Sequence, residues 1–445
     1  MRNNSDHINI TEPFISNHIT VRCVSSVEEF SQLKQAWNEL ATASDSTIYQ
    51  TFEWSYLWWE NFSIKQQYDL QILLFYSNKQ LVGLAPFFVF KNYLFNRNFY
   101  KSLRFLGTGT AFSISFGLFN DNGPSDYLDI IVLPGYESNV AKLFWEYVSN
   151  QDNHYDQIEL FNVRDDSKFM NYFVPVINKS EFKCRRFKAD CCPYIKKPKS
   201  IDDFLQSLPA SVRRRMLQTY KATKEGKLYK INQHESNEDC KKAYDELVQL
   251  HQERWNRIGY LGFFYDKKYS EFFANIFRVF LSNGWIWFKS AYSDNKCVAS
   301  RLAFKYNGRY YDYLSGFDDL APAAKRRPGL ALLLDMLKDA IEDNSHCLDL
   351  LRGDEQYKFD LTTSSNCNWN FIISISHKRS KIITTLQAML MLIKLFSFLN
   401  SREIKLLKVQ QMQHGFFSAI YYYVRFRFKN LVSKIKFMSS KHKNL

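Results

Sequence analysis

The stretch that most constrains this chain is 310–344, YYDYLSGFDDLAPAAKRRPGLALLLDMLKDAIEDN. It opens as an aromatic, strand-like run, crosses a turn-prone segment and enters a helix at Pro328. Leu330, Leu333, Leu334, Leu337, Ala340 and Ile341 recur at helical spacing, with Asp335, Lys338, Asp339 and Glu342 on the opposite face. Pro328 suits the first helical position, where its missing N–H costs nothing. Lys325, Arg326 and Arg327 directly before it are the anomaly. They place cations where the helix dipole already presents positive charge, which is locally unfavourable. A bound anion would offset this, because free backbone N–H groups and cations converge on it. The pattern predicts a phosphate-type site at the start of this helix.

Such a site needs a body to hold it. A chain of 445 residues exceeds one ordinary core and predicts two domains, 20–190 and 196–378, with an appendage at 380–445. Apolar content of 46% excludes a disordered chain. The boundary is read near Pro193 and Pro198, where prolines and lysines interrupt the pattern. The net charge of +14 is uneven: residues 380–445 hold twelve Lys/Arg and one acid, Glu403, so +11 lies there and +3 in the rest. The charge therefore says nothing about the helix-start site. Cys23, Cys184, Cys191, Cys192, Cys240, Cys297, Cys347 and Cys367 include no C-x-x-C pair and no zinc spacing, so no metal is expected and reduced thiols of a cytoplasmic protein are. The first residues contain no apolar run of the signal-peptide kind.

In the first half, helices are predicted at 27–42, 52–59 and 140–148, and a strand pair at 70–76 and 81–90 around Ser77-Asn78-Lys79-Gln80. Strands are expected at 126–132 and 157–161. The aromatic run FEWSYLWW reads as core, and Gly107-Thr108-Gly109 reads as a turn, since no helix with a lysine follows it. In the second half, helices are expected at 201–208, 210–224, 238–258 and 269–281, and strands at 229–234, 285–292, 347–352 and 369–376. A hairpin at 298–306 and 309–316 turns on Asn307-Gly308 and leads into the basic loop.

Arg326-Arg327-Pro328-Gly329-Leu330-Ala331 fits the Arg/Gln-x-x-Gly-x-Gly/Ala loop of GNAT acyltransferases, between a strand and a helix as that loop requires. With DLLRGDEQYK at 349–358, and with VRRRMLQTYK and ERWNRIGY before it, the chain resembles the GNAT-like family associated with cellulose and other exopolysaccharide biosynthesis, related to Fem-type aminoacyltransferases. The likeness is densest over 200–376 and weaker over TFEWSYLWW, LVGLAPFFV and SDYLDIIV. It implies an α/β (α+β) chain of two tandem GNAT-like domains, with mixed, mostly antiparallel sheets flanked by helices. It implies acetyl-CoA or another acyl-CoA as co-substrate. Its pyrophosphate would meet the loop at Arg326, Arg327, Gly329, Leu330 and Ala331. Pro328 donates no N–H, so binding would lean on the arginines.

Acyl transfer to an amine needs a base for the nucleophile, stabilisation of the carbonyl oxygen and a proton for the leaving thiolate. Carboxylates near a buried strand end are candidates for the base: Asp312, Asp318, Asp354 and Glu355. Glu355 and Asp312 are expected in catalysis, with Tyr313 or Tyr311 protonating the thiolate. Arg254, Trp255, Arg352, Tyr357 and Lys358 are expected around the acceptor. Competing structural readings are an ion-pair network of Asp349, Arg352, Glu355 and Lys358, and helix core for Trp255 and His251.

At 380–445, Ile382, Ile383, Leu386, Met389, Leu390, Ile393 and Phe396 share a helical face, and FFSAIYYYVRFRFKNLVSKIKF interleaves aromatics with cations. Too short and charged to span a bilayer, these segments are expected to contact an anionic membrane from the inner face; the competing readings are a helical pair packed on the catalytic body or at an oligomer interface, and binding of RNA or DNA. The expected function is an N-acyltransferase acting on an amino group of a small-molecule, glycan or lipid-linked cell-envelope or exopolysaccharide precursor. The alternatives are a Fem-type enzyme using aminoacyl-tRNA, and a non-catalytic membrane-peripheral scaffold of a polysaccharide assembly complex.

Overall fold

The computed structural model describes residues 14–16, 19–94, 97–109, 123–150, 155–177, 182–225, 229–258, 262–353 and 355–375. The basic segment 380–445 and Asp354 lie outside the described residues. The strands are β1 (Phe14–Ser16), β2 (Ile19–Val24), β3 (Tyr68–Ser77), β4 (Gln80–Leu94), β5 (Arg97–Phe105), β6 (Ile131–Val132), β7 (Gln157–Arg164), β8 (Lys183–Lys196), β9 (Lys230–Gln233), β10 (Ile286–Ser293), β11 (Lys296–Tyr306), β12 (Arg309–Phe317), β13 (Cys347–Asp349) and β14 (Ser365–Ser374). Three hairpins close on two-residue turns whose residues are both left-handed. Asn78-Lys79 (φ 46° and 70°) joins β3 to β4, Asp294-Asn295 (51° and 61°) joins β10 to β11, and Asn307-Gly308 (45° and 66°) joins β11 to β12. Such turns match the twist of the strands they connect, so they fix the register of each pair.

The strands form one 14-stranded sheet in the order β1-β2-β3-β4-β5-β7-β14-β8-β13-β12-β11-β10-β9, with β6 on β4. It is antiparallel except at β5/β7 and β12/β13. Two similar units are visible in this order. Each has four antiparallel strands (β2 to β5, β9 to β12), a helix, and a strand parallel to the fourth (β7, β13). The next strand of each unit then crosses over. β8, from the first unit, pairs with β13, whereas β14, from the second, inserts between β7 and β8. β8 runs straight through Pro193, whose carbonyl accepts the N–H of Leu350.

The helices are α1 (Val27–Gln32), α2 (Lys34–Ala43), α3 (Phe52–Phe62), α4 (Glu137–Asn150), α5 (Ile201–Ser207), α6 (Ala210–Glu225), α7 (Asn237–Arg257), α8 (Lys267–Ser282), α9 (Pro328–Glu342) and α10 (Gln356–Leu361). Ser26, Thr51, Ser200, Ser236 and Asp266 cap α1, α3, α5, α7 and α8 by accepting a backbone N–H. The aromatic run of α3 is core, and it joins the two units. Trp54 packs on Phe272, Phe280 and Phe304 of the second unit, with its Nε1 donating to Ser125 Oγ at 2.7 Å.

The structure corrects four local expectations. The strand predicted at 126–132 is confined to Ile131–Val132, because Asp129 accepts the N–H groups of Ile130, Lys168 and Phe169 and fixes that segment by its side chain instead. Burial pushes the Asp129 carboxyl up to about 6. The strand expected at 347–352 ends at Asp349, because Leu351 adopts a positive φ of 56°. The helix expected at 27–42 is interrupted at Leu33, dividing α1 from α2. The acidic face of α9 is not free: Asp335 and Asp339 bind Lys289 Nζ at 2.7 and 2.6 Å, and Asp339 also accepts from Trp287 Nε1. The buried face of α9 is wider than its spacing suggested, adding Ala331, Leu332 and Met336. α6 covers one side of it and the sheet the other.

Candidate active site

The helix-start loop is built as its sequence requires. A 3-10 turn over Pro322–Arg326 leads to Arg327, which takes left-handed geometry (φ 55°, ψ 58°), and Pro328 is the first residue of α9. A left-handed arginine costs roughly 1–2 kcal/mol. The N–H groups of Leu330 and Ala331 both reach the Arg327 carbonyl, at 2.9 and 3.0 Å. That leaves the Gly329 N–H free of a hydrogen bond among the described residues. Lys325, Arg326 and Arg327 are exposed and form no ion pair among the described residues. Gly329 is not required by the loop itself, since a Cβ there would meet Phe317 at an ordinary 3.7 Å.

Beside this loop, β11 and β12 carry a buried ion pair. Arg301 Nη1 donates to Asp312 Oδ2 at 2.6 Å, with both side chains about 95% buried. A bulge between Leu302 and Ala303 shifts the register of the two strands between these residues. Burial raises the Asp312 carboxyl, opposed by Arg301 and Lys358. Tyr357 hydrogen-bonds Arg301, while the buried Nε of Arg301 has no partner among the described residues. Lys358 enters from α10. Its Nζ lies 2.8 Å from the Arg352 carbonyl and 3.1 Å from Glu355 Oε2, in a side chain only 6% exposed. Burial opposes its charge, but Tyr357, Glu355 and Asp312 outweigh it and raise the Lys358 pKa. Glu355 is 47% exposed and contacts Lys358. Gly353 makes this turn possible: its φ is 140°, and a Cβ would lie 2.1 Å from Glu355 Oε2 and 2.7 Å from Lys358 Nζ.

The structure therefore brings Asp312, Glu355, Tyr357 and Lys358 together, with Arg254 in their field. Arg254 lies 4.2 Å over the Phe317 ring, and burial lowers its pKa. α7 sits close to β12 because Gly316 has no Cβ; one there would meet the His251 N and Leu250 Cβ at 2.8 Å. His251 Nδ1 is 3.1 Å from the Ser315 carbonyl, and burial pushes its imidazole down to about 4, so it is neutral at pH 7. The Trp255 ring lies tilted against His251, with centroids 5.9 Å apart.

Two expected residues face elsewhere. The Tyr313 hydroxyl donates to the Pro124 carbonyl at 2.7 Å, in an aromatic seam with Tyr49, Trp54 and Phe304. Arg352 donates to the Gly123 carbonyl and lies 3.4 Å from Asp126, so it bridges the units. Asp349 does the same. Its carboxylate accepts from the Tyr127 hydroxyl at 2.9 Å and from the Leu351 N–H at 2.8 Å, and burial pushes it up to about 7. Arg301 was not anticipated. Its signal was a cation at an interior position of the strand, between Ala299 and Ala303.

Among the described residues no group of three His, Cys, Asp or Glu could hold a metal, and no helix is long and apolar enough to cross a membrane. Residues 210–359 match the family model described as an acetyltransferase (GNAT) domain. No curated protein matches the sequence. Among solved structures, the crystal structure of FemX is similar at 10% identity, with a TM-score of 0.54 over 80% of this chain and 98% of that one. The C-terminal domain of a putative lysylphosphatidylglycerol synthetase from Agrobacterium fabrum gives 10% identity, 81% and 96% coverage and a TM-score of 0.43. A tandem GNAT protein from the clavulanic acid biosynthesis pathway gives 10%, 79%, 98% and 0.38. Of these, FemX alone is near enough to speak for the fold, and it speaks for the fold alone. Residues 210–359, which match that family model, take in both the cationic loop and the buried cluster, within a mostly antiparallel sheet flanked by helices.

Proposed function

We propose that this protein is an N-acyltransferase that moves an acyl group from acyl-CoA to an amino group of a sugar or cell-envelope precursor. The observation that carries the reading is the α9 helix start. Three unpaired cations and a free Gly329 N–H stand within a GNAT domain, next to a buried polar cluster. Arg326 and Arg327 would neutralise the donor's phosphates, and Gly329 would admit a pyrophosphate oxygen to its N–H. Glu355 is the base for the attacking amine, being the carboxylate of the cluster that solvent reaches. Asp312 is engaged by Arg301 and positions it. As the carbonyl oxygen gains charge, Lys358 and the free N–H of Arg301 supply the opposing field, and Tyr357 is placed to return a proton to the leaving thiolate. The acceptor enters past Arg254 and Trp255. Titration calorimetry with acetyl-CoA tests the donor: no heat, or binding unchanged in Arg326→Ala plus Arg327→Ala, would sink it.

A second reading is favoured by the likeness to FemX and by the loop offering one free N–H where a pyrophosphate could use several. It is a Fem-type transferase taking its acyl group from aminoacyl-tRNA, and it requires turnover with charged tRNA and indifference to CoA. In either case the segment 380–445 holds a cytoplasmic protein at an anionic membrane surface. Deleting it would leave soluble activity in an enzyme, whereas a scaffold of a polysaccharide assembly complex would lose its function.

A further inference from the structure

Cys191 on β8 and Cys367 on β14 are partners in direct register across two antiparallel strands, and their sulfurs are 3.9 Å apart. Both side chains are half-buried, so small oxidants reach them. Cys192, the neighbour in sequence, points to the other face, where it is fully buried and accepts from Asn368 Nδ2 at 3.5 Å. Strand alternation thus separates the adjacent thiols and pairs Cys191 with a residue 176 positions away. The Lys188 ammonium is within hydrogen-bond reach of both sulfurs, while burial and the neighbouring Cys367 sulfur push the Cys191 thiol above its ordinary value. Directly opposed residues of antiparallel strands have the Cα separation a disulfide needs, and side-chain rotation covers the remaining approach to about 2.05 Å.

We infer that Cys191 and Cys367 are a redox modification site whose disulfide staples the exchanged strand β14 to β8. The oxidant is a hydroperoxide. One thiolate attacks an oxygen of hydrogen peroxide, breaking O–O and leaving a sulfenic acid, and the expelled hydroxide takes up the proton that the thiol had lost and departs as water. The second sulfur then attacks the first, forming S–S and breaking S–O, and hydroxide departs as water with the second thiol's proton. Two electrons pass from the sulfurs to the peroxide. The link fastens the strand by which the end of the second unit returns to the first. The next residue along, Asn368, donates to Asp126, the carboxylate beside Arg352 at the seam. In a reducing compartment the pair remains a dithiol and the staple is open.

The experiment treats the full chain with hydrogen peroxide, alkylates free thiols, digests without reduction and maps cross-linked peptides by mass spectrometry. The expected product joins Cys191 to Cys367 and disappears with dithiothreitol. Oxidised wild type should melt roughly 2–5 °C higher than reduced, with no such rise in Cys367→Ser or Cys191→Ser. Free, alkylated Cys191 and Cys367 after peroxide overturn the proposal, as does a Cys191–Cys192 link or a sulfinic acid without cross-link. A correct link with an unchanged melting midpoint overturns the staple.

Discussion

The two helix starts that follow the fourth strand of each unit face the same physical problem and solve it differently. In the first unit, α4 begins at Glu137, whose carboxylate accepts the Gly135 N–H at 2.7 Å and binds Lys168 Nζ at 2.9 Å. Burial opposes its charge, but Lys168 and the N–H groups of Glu137 and Gly135 outweigh it and hold its pKa below the usual range. The anion that a helix start attracts is there a part of the chain. In the second unit α9 begins at Pro328, with three cations on which no carboxylate lies among the described residues. One unit meets its helix start with its own carboxylate, and the other does so with none among the described residues. The interiors differ in the same sense. Between β5 and β7, Arg104 grips Glu159 at 2.9 and 2.5 Å, with Tyr100 on the same carboxylate and both charges almost wholly buried. Between β11, β12 and α10, the ion pair Arg301–Asp312 borders the half-exposed Glu355, although each pair leaves one arginine nitrogen without a partner among the described residues. A sealed pair stabilises or specifies a fold; a partly open one can do chemistry.

That contrast can be broken by experiment. The largest effect is expected from Glu355→Gln, which should lower kcat by about 10²–10⁴-fold with little change in melting temperature; an unchanged kcat would move the base elsewhere. Arg326→Ala with Arg327→Ala should raise the donor KM on the order of 10²-fold, from two lost charge-assisted contacts, leaving kcat nearly intact. The seam between the units should titrate. Burial raises the folded pKa of Asp349 to about 7, well above the ordinary carboxylate range, so the folded state holds its proton longer. Its stabilising contribution is full below the unfolded value and lost as pH rises toward 7. Melting curves from pH 4 to 8 should fall less steeply in Asp349→Asn than in wild type, and parallel curves would exclude a protonated Asp349. Glu137→Gln should cost about 1–2 kcal/mol of stability without altering donor KM; a changed KM would mean the first unit also binds donor. Smallest of all, Gly329→Ala should leave stability within about 0.5 kcal/mol, because nothing in the fold opposes a Cβ there. Any loss of donor affinity in that variant reports the ligand's own approach to the backbone.

The open helix start was legible in the sequence because everything it needs is local. Three cations, a proline at the first helical position and a leucine stripe lie within 310–344, and the Asn307-Gly308 hairpin turn before them sets the strand that feeds the loop. The DLLRGDEQYK segment was equally local, and its Glu355, Tyr357 and Lys358 arrive together on one turn and α10. Arg301 was harder, because its partner Asp312 is set by strand register and a bulge. The role of Tyr313 in the seam was hidden for the same reason, since its hydroxyl partner Pro124 is 189 residues away. β8 gave no strand signal: much of 183–191 is half-exposed on both faces, so no period of two is written in it.

By itself, then, the sequence determined the helices, the two-residue turns and the cationic loop, whose causes act over a few residues of chain. Tertiary structure decided the strand exchange, the pairing of Cys191 with Cys367, the closure of Arg301 on Asp312, and the filling of one helix start by Glu137 while the other stays open. Those depend on which strand lies beside which. Residues hundreds of positions apart become neighbours there, through hydrogen-bonded register and burial, and a charge acquires its partner only when the sheet has formed.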